Sequence, residues 1–392
     1  MKLKPFAGID NRSRDTEMIR GGEAPRVFVR VADNVDFTDQ GNVAMRCGVR
    51  QVSDTRITDL WQSPIDGAVL ARQGSDLVRV DPQDWSVMPL AGVGDSSLFY
   101  LPFNDAMLIA GGRGLFQYQN GQASFFPILP ATPPWLNALQ GGLAPGQYGV
   151  ALSWLVGSRE GPLSEVSFII LTEEYGSIQA TIPPRPQPEI TGYRLYLTPP
   201  DGGVFYCVEE GTGDSAVIGA DIAFGKAPPF PHMTAMPTGR YLQSWNGRIV
   251  VARGSALLFS QPFAYHIHDP GTDFVSMPQP VTFLLSVDVG LWVGQRDHVA
   301  FLAGNRPAEM QMIRRSASAP VPGSAVSLKA GELAGELGSN GMPAGAWLSE
   351  KGYVLGMPDG TMVEVSADVL SGIHANWGRT LAHGRRLITI AR

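Results

Sequence analysis

The chain has 392 residues, of which 44% are hydrophobic and only 17% charged, with a net charge of −6. Ordinary soluble domains carry about 25% charged residues, so this composition excludes a disordered chain and points to a large buried core. The acidic balance excludes a protein that wraps nucleic acid through a basic surface, but not a wall past which DNA slides.

The start, Met1 to Phe6, lacks the apolar core of a signal peptide. The longest apolar stretches, such as residues 281–289, fall far short of the roughly 20 residues that span a bilayer. The expectation is a soluble chain made in the cytoplasm, without a membrane anchor of its own. Two cysteines, Cys47 and Cys207, are too few for a disulfide scaffold or a four-cysteine zinc site, and both read as reduced thiols.

Short β-like runs follow one another along the chain. They include Arg26 to Val31, Ala68 to Ala71, Leu77 to Val80, Met107 to Ala110, Ile249 to Ala252, Ala256 to Ser260 and Arg386 to Ile390. Each is rich in Val, Ile, Leu, Phe or Tyr and bounded by Gly, Pro, Asn or Asp. The 46 glycines and 31 prolines imply many turns. The best helical stretch, Lys329 to Leu337, is weakened by Gly331 and Gly335. The class is all-β.

A repeat organises these runs: a turn, an apolar strand, a Gly-containing turn and a second strand. It opens at Asp66, Asn104, Asn246, Val289 and Lys351, with a half-copy from His383, in steps of 38, 142, 43, 62 and 32 residues. Removing about 100 residues of insertion from the second step leaves a period near 40, that of a four-stranded β-propeller blade. The lone C-terminal strand then needs partners, and an N-terminal run such as Gly48 to Val52 or Arg26 to Val31 could complete its blade.

The insertion opens with the Pro-rich stretch from Pro127 to Trp135 and closes with Pro228 to His232. Between them, Tyr148, Val150, Leu152 and Trp154 alternate, as do Tyr193, Leu195 and Leu197, which is the period of half-buried strands. Asp201-Gly202-Gly203 reads as a hairpin turn. The segment resembles a fibronectin type III-like sandwich. The expected domains are therefore residues 1–130 and 233–392, forming one β-propeller-like domain, interrupted by a sandwich over 131–232.

Several constellations suggest chemistry at first sight. His266-Ile267-His268 sets two imidazoles on one strand face with Asp269 next, but zinc needs a third ligand from elsewhere and the next strand offers only Asp273. Asp33, Asp36, Asp39 and Gly41 step by three rather than two, so a turn explains them better than a calcium loop. Gly94 to Ser97, Gly111 to Gly114 and Gly254-Ser255-Ala256 read as turns between strands, not as phosphate loops or nucleophile elbows. Arg46/Arg50, Arg314-Arg315 and Arg385-Arg386 read as solvated faces or subunit contacts. The expectation is no enzyme, with no catalytic, cofactor-binding or metal residues and no cofactor.

The N-terminal phrase Gly8-Ile9-Asp10-Asn11-Arg12 and the segment VRVADNVDFTDQGNVAMRCGVRQV from Val29 resemble the opening of propeller-type tail structural proteins of bacteriophages. YRLYLTPPDG from Tyr193, NGRIVVARGSALLFSQP from Asn246 and PVTFLLSVDVGLWVG from Pro280 extend the resemblance in order over most of the chain. The nearest functional type is the tail nozzle of short-tailed phages, or a tail-tube or connector ring, although this chain is short for a nozzle. The resemblance implies a virion protein assembled in the host cytoplasm. It would form a ring, six copies in a nozzle, on the DNA channel, dock an adaptor or tube and fibre or tip proteins, and retain and release double-stranded DNA at ejection. The rival readings are a receptor- or carbohydrate-binding propeller at the virion surface and a propeller hydrolase. The low charge fraction also implies apolar contact residues, for which Trp135, Phe125, Phe126 and Phe230 are the candidates.

Overall fold

The computed structural model describes residues 6–21, 25–38, 40–46, 48, 50–315, 318–329, 342–383 and 386–392. The helical expectation over Lys329 to Leu337 falls almost wholly outside them, as do Cys47, Asp39 and Arg385. The chain is all-β, a β-propeller-like series of four-stranded sheets interrupted by a sandwich insertion. Among the described residues no helix is long and apolar enough to cross a membrane.

Among the described residues five four-stranded sheets, blades 1 to 5, take their strands in chain order, with Ile267–His268 left out of blade 3 to pair with Thr234–Ala235. Blade 1 holds Thr58–Gln62, Val69–Gln73, Asp76–Val80 and Val87–Gly92. Blade 2 holds Phe99–Phe103, Ala106–Ala110, Leu115–Gln119 and Gln122–Phe125. Blade 3 holds Arg240–Trp245, Arg248–Arg253, Ala256–Phe259 and Phe274–Ser276. Blade 4 holds Phe283–Val287, Gly290–Gly294, Val299–Ala303 and Gln311–Arg315. Blade 5 holds Val326–Leu328, Ala344–Ser349, Gly352–Gly356 and Met362–Glu364. First strands thus begin at 58, 99, 240, 283 and 326, in steps of 41, 141, 43 and 43 residues.

That regularity corrects the irregular spacing read from the sequence. The hairpins opening at Asp66, Asn104, Asn246 and Val289 are strands two and three of their blades. The one at Lys351 is strands three and four, because its true second strand, Ala344–Ser349, precedes it.

The chain divides into two compact units, one of Ile57–Val251 with Leu257–Val275 and the other of Met1–Arg56, Ala252–Ala256 and Ser276–Arg392. In the first unit, blades 1 and 2 bury Leu70, Leu77, Leu98, Met107, Ile109 and Phe116 between them. Blades 2 and 3 share Leu108, Ala110, Leu115, Leu242, Ile249 and Val251. Ala106–Ala110 is buried throughout, so odd positions face one neighbour and even positions the other. Asn246 and Gly247 both have positive φ, 46° and 69°, as the tight two-residue turn between strands one and two of blade 3 requires.

The sandwich belongs to the same unit. Trp135–Leu139, Ser177–Thr181 and Ser215–Ile218 form one sheet. The other has the 11-residue Gly146–Val156 at its heart, flanked by Arg159–Leu163 and Ser167–Leu171 on one edge and by Gly192–Leu197, then Tyr206–Gly211, on the other. The polar turn expected to split two strands in this region is in fact two turns between three strands. Tyr148, Val150, Leu152, Trp154, Tyr193, Leu195 and Leu197 all enter its core, and Ile128 and Ala131 from the Pro-rich stretch join them.

In the second unit, blades 4 and 5 share an aromatic core of Phe283, Trp292, Phe301 and Trp347, with Trp292 and Trp347 centroids 5.4 Å apart. A Cβ on Gly294 would lie 2.2 Å from Phe283, and one on Gly356 would lie 2.7 Å from both tryptophans. These strand glycines give the rings their room.

The last strand, Arg386–Ala391, pairs with Gly378–His383 and with neither proposed N-terminal run. Arg26–Val29 instead pairs with Phe6–Ile9 and Ile19–Arg20, and the described residues of 48–52 lie outside any strand. The partner strand escaped notice because Gly378-Arg-Thr-Leu-Ala-His is barely apolar. Ala382 and Leu387 pack on the blade 5 cluster of Leu328, Ala346 and Leu355, and the Tyr353 hydroxyl donates to the Leu387 carbonyl at 3.2 Å. Leu387→Ala should therefore cost about 1–3 kcal/mol, read from denaturant melts. A value within error of zero would show that the hairpin is not docked.

The N-terminal phrase is built into the same unit as a latch. Buried Asp10 accepts the backbone N–H groups of Arg12 at 3.0 Å and Ser13 at 2.9 Å and pairs with Arg20. Asn11 donates its side-chain amide to the Ser371 carbonyl at 2.8 Å and accepts the Ser371 N–H at 3.0 Å, while Arg12 reaches the Ala367 carbonyl. The Ser13 amide foremost, with the Ser13 hydroxyl, the Arg12 amide and Arg20, holds the Asp10 carboxyl down to about 2. The unfolded chain, with a value of 3.8, therefore binds the proton first. This contribution is complete above about pH 4 and is lost as the pH falls toward 2. Asp10→Asn should lower the melting temperature at neutral pH and shrink the loss between pH 4 and 2; an identical acid profile would refute the latch.

Candidate docking surface

The charged centre of the sandwich is Glu160, on Arg159–Leu163 just after a turn at Gly157, whose φ is 57°. Its carboxylate is buried and accepts from Ser153 Oγ at 2.7 Å, Tyr196 OH at 2.5 Å and Arg194 at 2.5 Å. Arg194 also reaches Glu210 at 2.8 Å. Burial and the neighbouring Glu160 carboxylate push the Tyr196 phenol well above its ordinary range, and burial raises the Cys207 thiol as well. The phenol and thiol are protonated at neutral pH, and both carboxylate oxygens are engaged. This cluster pins Arg159–Leu163, Gly146–Val156 and Gly192–Leu197 to one another.

The two histidines do not form a metal site. His266 Nε2 lies 2.8 Å from the Glu160 carbonyl, and His268 Nδ1 lies 2.7 Å from the Phe259 carbonyl. Each ring donates to a different carbonyl. Asp273 is engaged by Arg248 at 2.8 Å and by Gln261 at 2.5 Å. Among the described residues no group of three or more His, Cys, Asp or Glu side chains is placed to hold a metal ion.

His266 ties the loop between the third and fourth strands of blade 3 to the sandwich, and burial lowers its pKa from 6.5. The unfolded chain then binds a proton that the folded chain refuses, so stability is full above about pH 6.5 and falls as the pH drops below it. His266→Gln, which keeps a donor, should make melting temperature less sensitive between pH 7.5 and 5.5. A variant as pH-sensitive as the parent would remove His266 from this role.

The remaining sequence candidates are structural. Asp36 pairs with Arg46 at 2.7 Å and with Arg386 at 3.6 Å, beside a turn in which the Gly41 N–H donates to Thr38. Gly254, with φ 62°, turns between the middle strands of blade 3, and the Gly111 N–H donates to the Gly114 carbonyl in blade 2. Arg314 and Arg315 lie on the outermost strand of blade 4.

Of the four expected contact residues, Phe126 is in the core shared by blades 2 and 3, with Arg159 stacked 5.6 Å from its ring centroid. Phe125 packs edge-on against Phe116, and Phe230 against His266. Trp135 alone projects into solvent, with 67% of its surface exposed. It has company that the sequence did not disclose. Trp135–Leu139 directs Leu136 and Ala138 inward and Trp135 and Leu139 outward, and Val217 lies two strands across on the same outer face. On the adjoining edge strand, Phe168 and Ile170 are 66% and 70% exposed while Ile169 and Leu171 face the core. The Ser167 hydroxyl donates to the Pro134 carbonyl at 2.6 Å, joining the two edges. Large apolar side chains thus wrap one rim of the insertion, an arrangement suited to protein contact.

No protein-family model and no curated protein sequence matches the chain. Among solved structures, the BBS1N protein crystallised in complex with ARL6DN is similar at 13% identity over 86% of this chain and 89% of that one, with a TM-score of 0.35. Kluyveromyces lactis Hsv2 is similar at 8% identity over 86% and 90%, with a TM-score of 0.32. Saccharomyces cerevisiae Sqt1 is similar at 11% identity over 77% and 96%, with a TM-score of 0.22.

Proposed function

We propose that the chain is a non-catalytic structural component of a bacteriophage tail, which assembles with copies of itself into a ring on the path of the DNA. The observation that carries the assembly is the solvent-facing apolar rim of the insertion, centred on Trp135, Phe168 and Ile170. Strand residues of this size gain about 25 cal/mol for each Å² of apolar surface they bury, and a second copy is the occupant we assign to them. The tail assignment is supported by the N-terminal phrase, whose Asp10, Asn11 and Arg12 all act in the latch.

In this reading the protein is a nozzle, tube or connector ring of the virion, with six copies in the nozzle form, built in the host cytoplasm. It docks a head–tail adaptor or tube on one side and fibre or tip proteins on the other. Its work is mechanical and electrostatic. A net charge of −6 per copy repels DNA phosphates, so packaged double-stranded DNA is retained by closure and slides without sticking when released.

Light scattering across concentrations, with negative-stain images of the same samples, tests the assembly. The parent chain should form closed rings. Trp135→Ser combined with Phe168→Ser and Ile170→Ser should be monomeric with an unchanged melting temperature. A parent chain that stays monomeric at every concentration, alone and with the tail proteins encoded beside it, would overturn the reading.

A further inference from the structure

A second feature of the first unit lies apart from the apolar rim. The outer strands of blade 2, Leu115–Gln119 and Gln122–Phe125, face the turn-bearing end of the sandwich across a cleft of about 790 Å³. That volume falls within the roughly 300–1,000 Å³ of ordinary small-ligand pockets. Its blade wall carries the amides Gln117, Gln119 and Gln122 with the hydroxyl of Ser124, and its sandwich wall carries Arg159 and Glu189. Met88, Leu90 and Phe125 line the cleft from the other, blade 1 side of the edge strand.

From this lining we infer that the cleft binds a neutral oligosaccharide. Each carboxamide offers a donor and an acceptor side by side, which matches adjacent hydroxyl groups that both give and take hydrogen bonds. Gln117 Nε2 donates to Gln119 Oε1 at 3.2 Å, so one amide orients the next. Glu189 is half-buried and lines the cleft, where its carboxylate can accept from a sugar hydroxyl. The Phe125 ring is held in place, edge-on to Phe116 at 5.2 Å and with Gly114 so close that a Cβ there would lie 2.4 Å from it. The ring packs on the blade 1 side of its strand, opposite the face that carries the amides, so it fixes the edge strand of the cleft.

The charge pattern argues against other ligands. Arg159 is the single cation of the lining, and its guanidinium is committed to Phe126, donating to that residue's carbonyl at 3.3 Å and stacking on its ring. Glu189 offsets the charge of Arg159, so the lining has no net positive charge to hold a phosphate-bearing ligand.

Saturation-transfer NMR on the full chain tests this with maltohexaose, chitotetraose and a mannotetraose as probes, and glucose 6-phosphate as the charged comparison. At least one neutral oligosaccharide should show transfer, and glucose 6-phosphate should not. Glu189→Gln should weaken that binding about tenfold, as should Gln117→Leu combined with Gln122→Leu, with melting temperatures unchanged. No transfer from any of the three neutral probes would overturn the inference, and so would binding that the variants leave intact or a preference for the phosphorylated sugar. Ring assembly is read separately by light scattering, so either result can fail without the other.

Discussion

The middle strands of the blades are apolar on both faces, and this sets the architecture of each unit. A strand such as Ala106–Ala110 or Gly290–Gly294, buried at every position, cannot belong to a sheet with one face in water. It needs a covering layer on each side, and in these units the next blade supplies it. Leu108 and Ala110 face blade 3 while Met107 and Ile109 face blade 1. The outermost strands are relieved of that demand. Gln311–Arg315, at the edge of blade 4, is exposed at four of its five positions and carries polar and basic residues. The low charge content of the chain follows from this geometry, since two strands in four contribute little surface.

Buried charge is used sparingly and always as a fastening. Asp10, Glu160 and Asp273 are each nearly shut off from water, and each is met by an arginine and by at least two further donors. A buried ion pair adds little net stability, because desolvation offsets most of the attraction, but losing one partner is severe. Such groups therefore fix position more than they add strength. Asp10 orients the N-terminal latch, Glu160 clamps Arg159–Leu163 to its neighbouring strands, and Asp273 holds the last strand of blade 3. Both oxygens of each carboxylate are already engaged.

Much of this was legible in the sequence where a physical signal was local. Turn residues with positive φ, such as Asn246 and Gly247, and continuous apolar runs marked the central hairpins of four blades. Alternation marked the sandwich strands around Trp154 and Tyr193. Blade 5 was obscured because its three-residue first strand is separated from its second by a long stretch of polar and small residues. The first sandwich strand, Trp135–Leu139, was hidden behind prolines and read as part of a hinge, so the outward company of Trp135 went unseen. The amide-lined cleft could not be read at all. Gln117, Gln119 and Gln122 look like ordinary polar positions on outer strands, and only folding brings Arg159 and Glu189, distant in sequence, opposite them.

The placement of the insertion explains how one chain can carry two unlike surfaces. It leaves blade 2 directly after the outermost strand, Gln122–Phe125, so its first residues must pass along the blade's rim. Gln187 then fastens it there, accepting the Leu129 N–H at 2.8 Å and donating to the Pro127 carbonyl at 2.9 Å. With Ile128 also sunk in the sandwich core, the connection is a packed joint rather than a free tether. A packed joint fixes the gap between blade and sandwich, which is what an amide-lined cleft needs if its donors and acceptors are to be pre-oriented. The strand that follows, Trp135–Leu139, buries Leu136 and Ala138 and turns Trp135 and Leu139 out to solvent. The same short run of chain, from Gln122 to Leu139, thus shapes one wall of the polar cleft and begins the apolar rim. Polar and apolar recognition are separated by strand alternation and by the joint, so neither surface requires the other to be occupied.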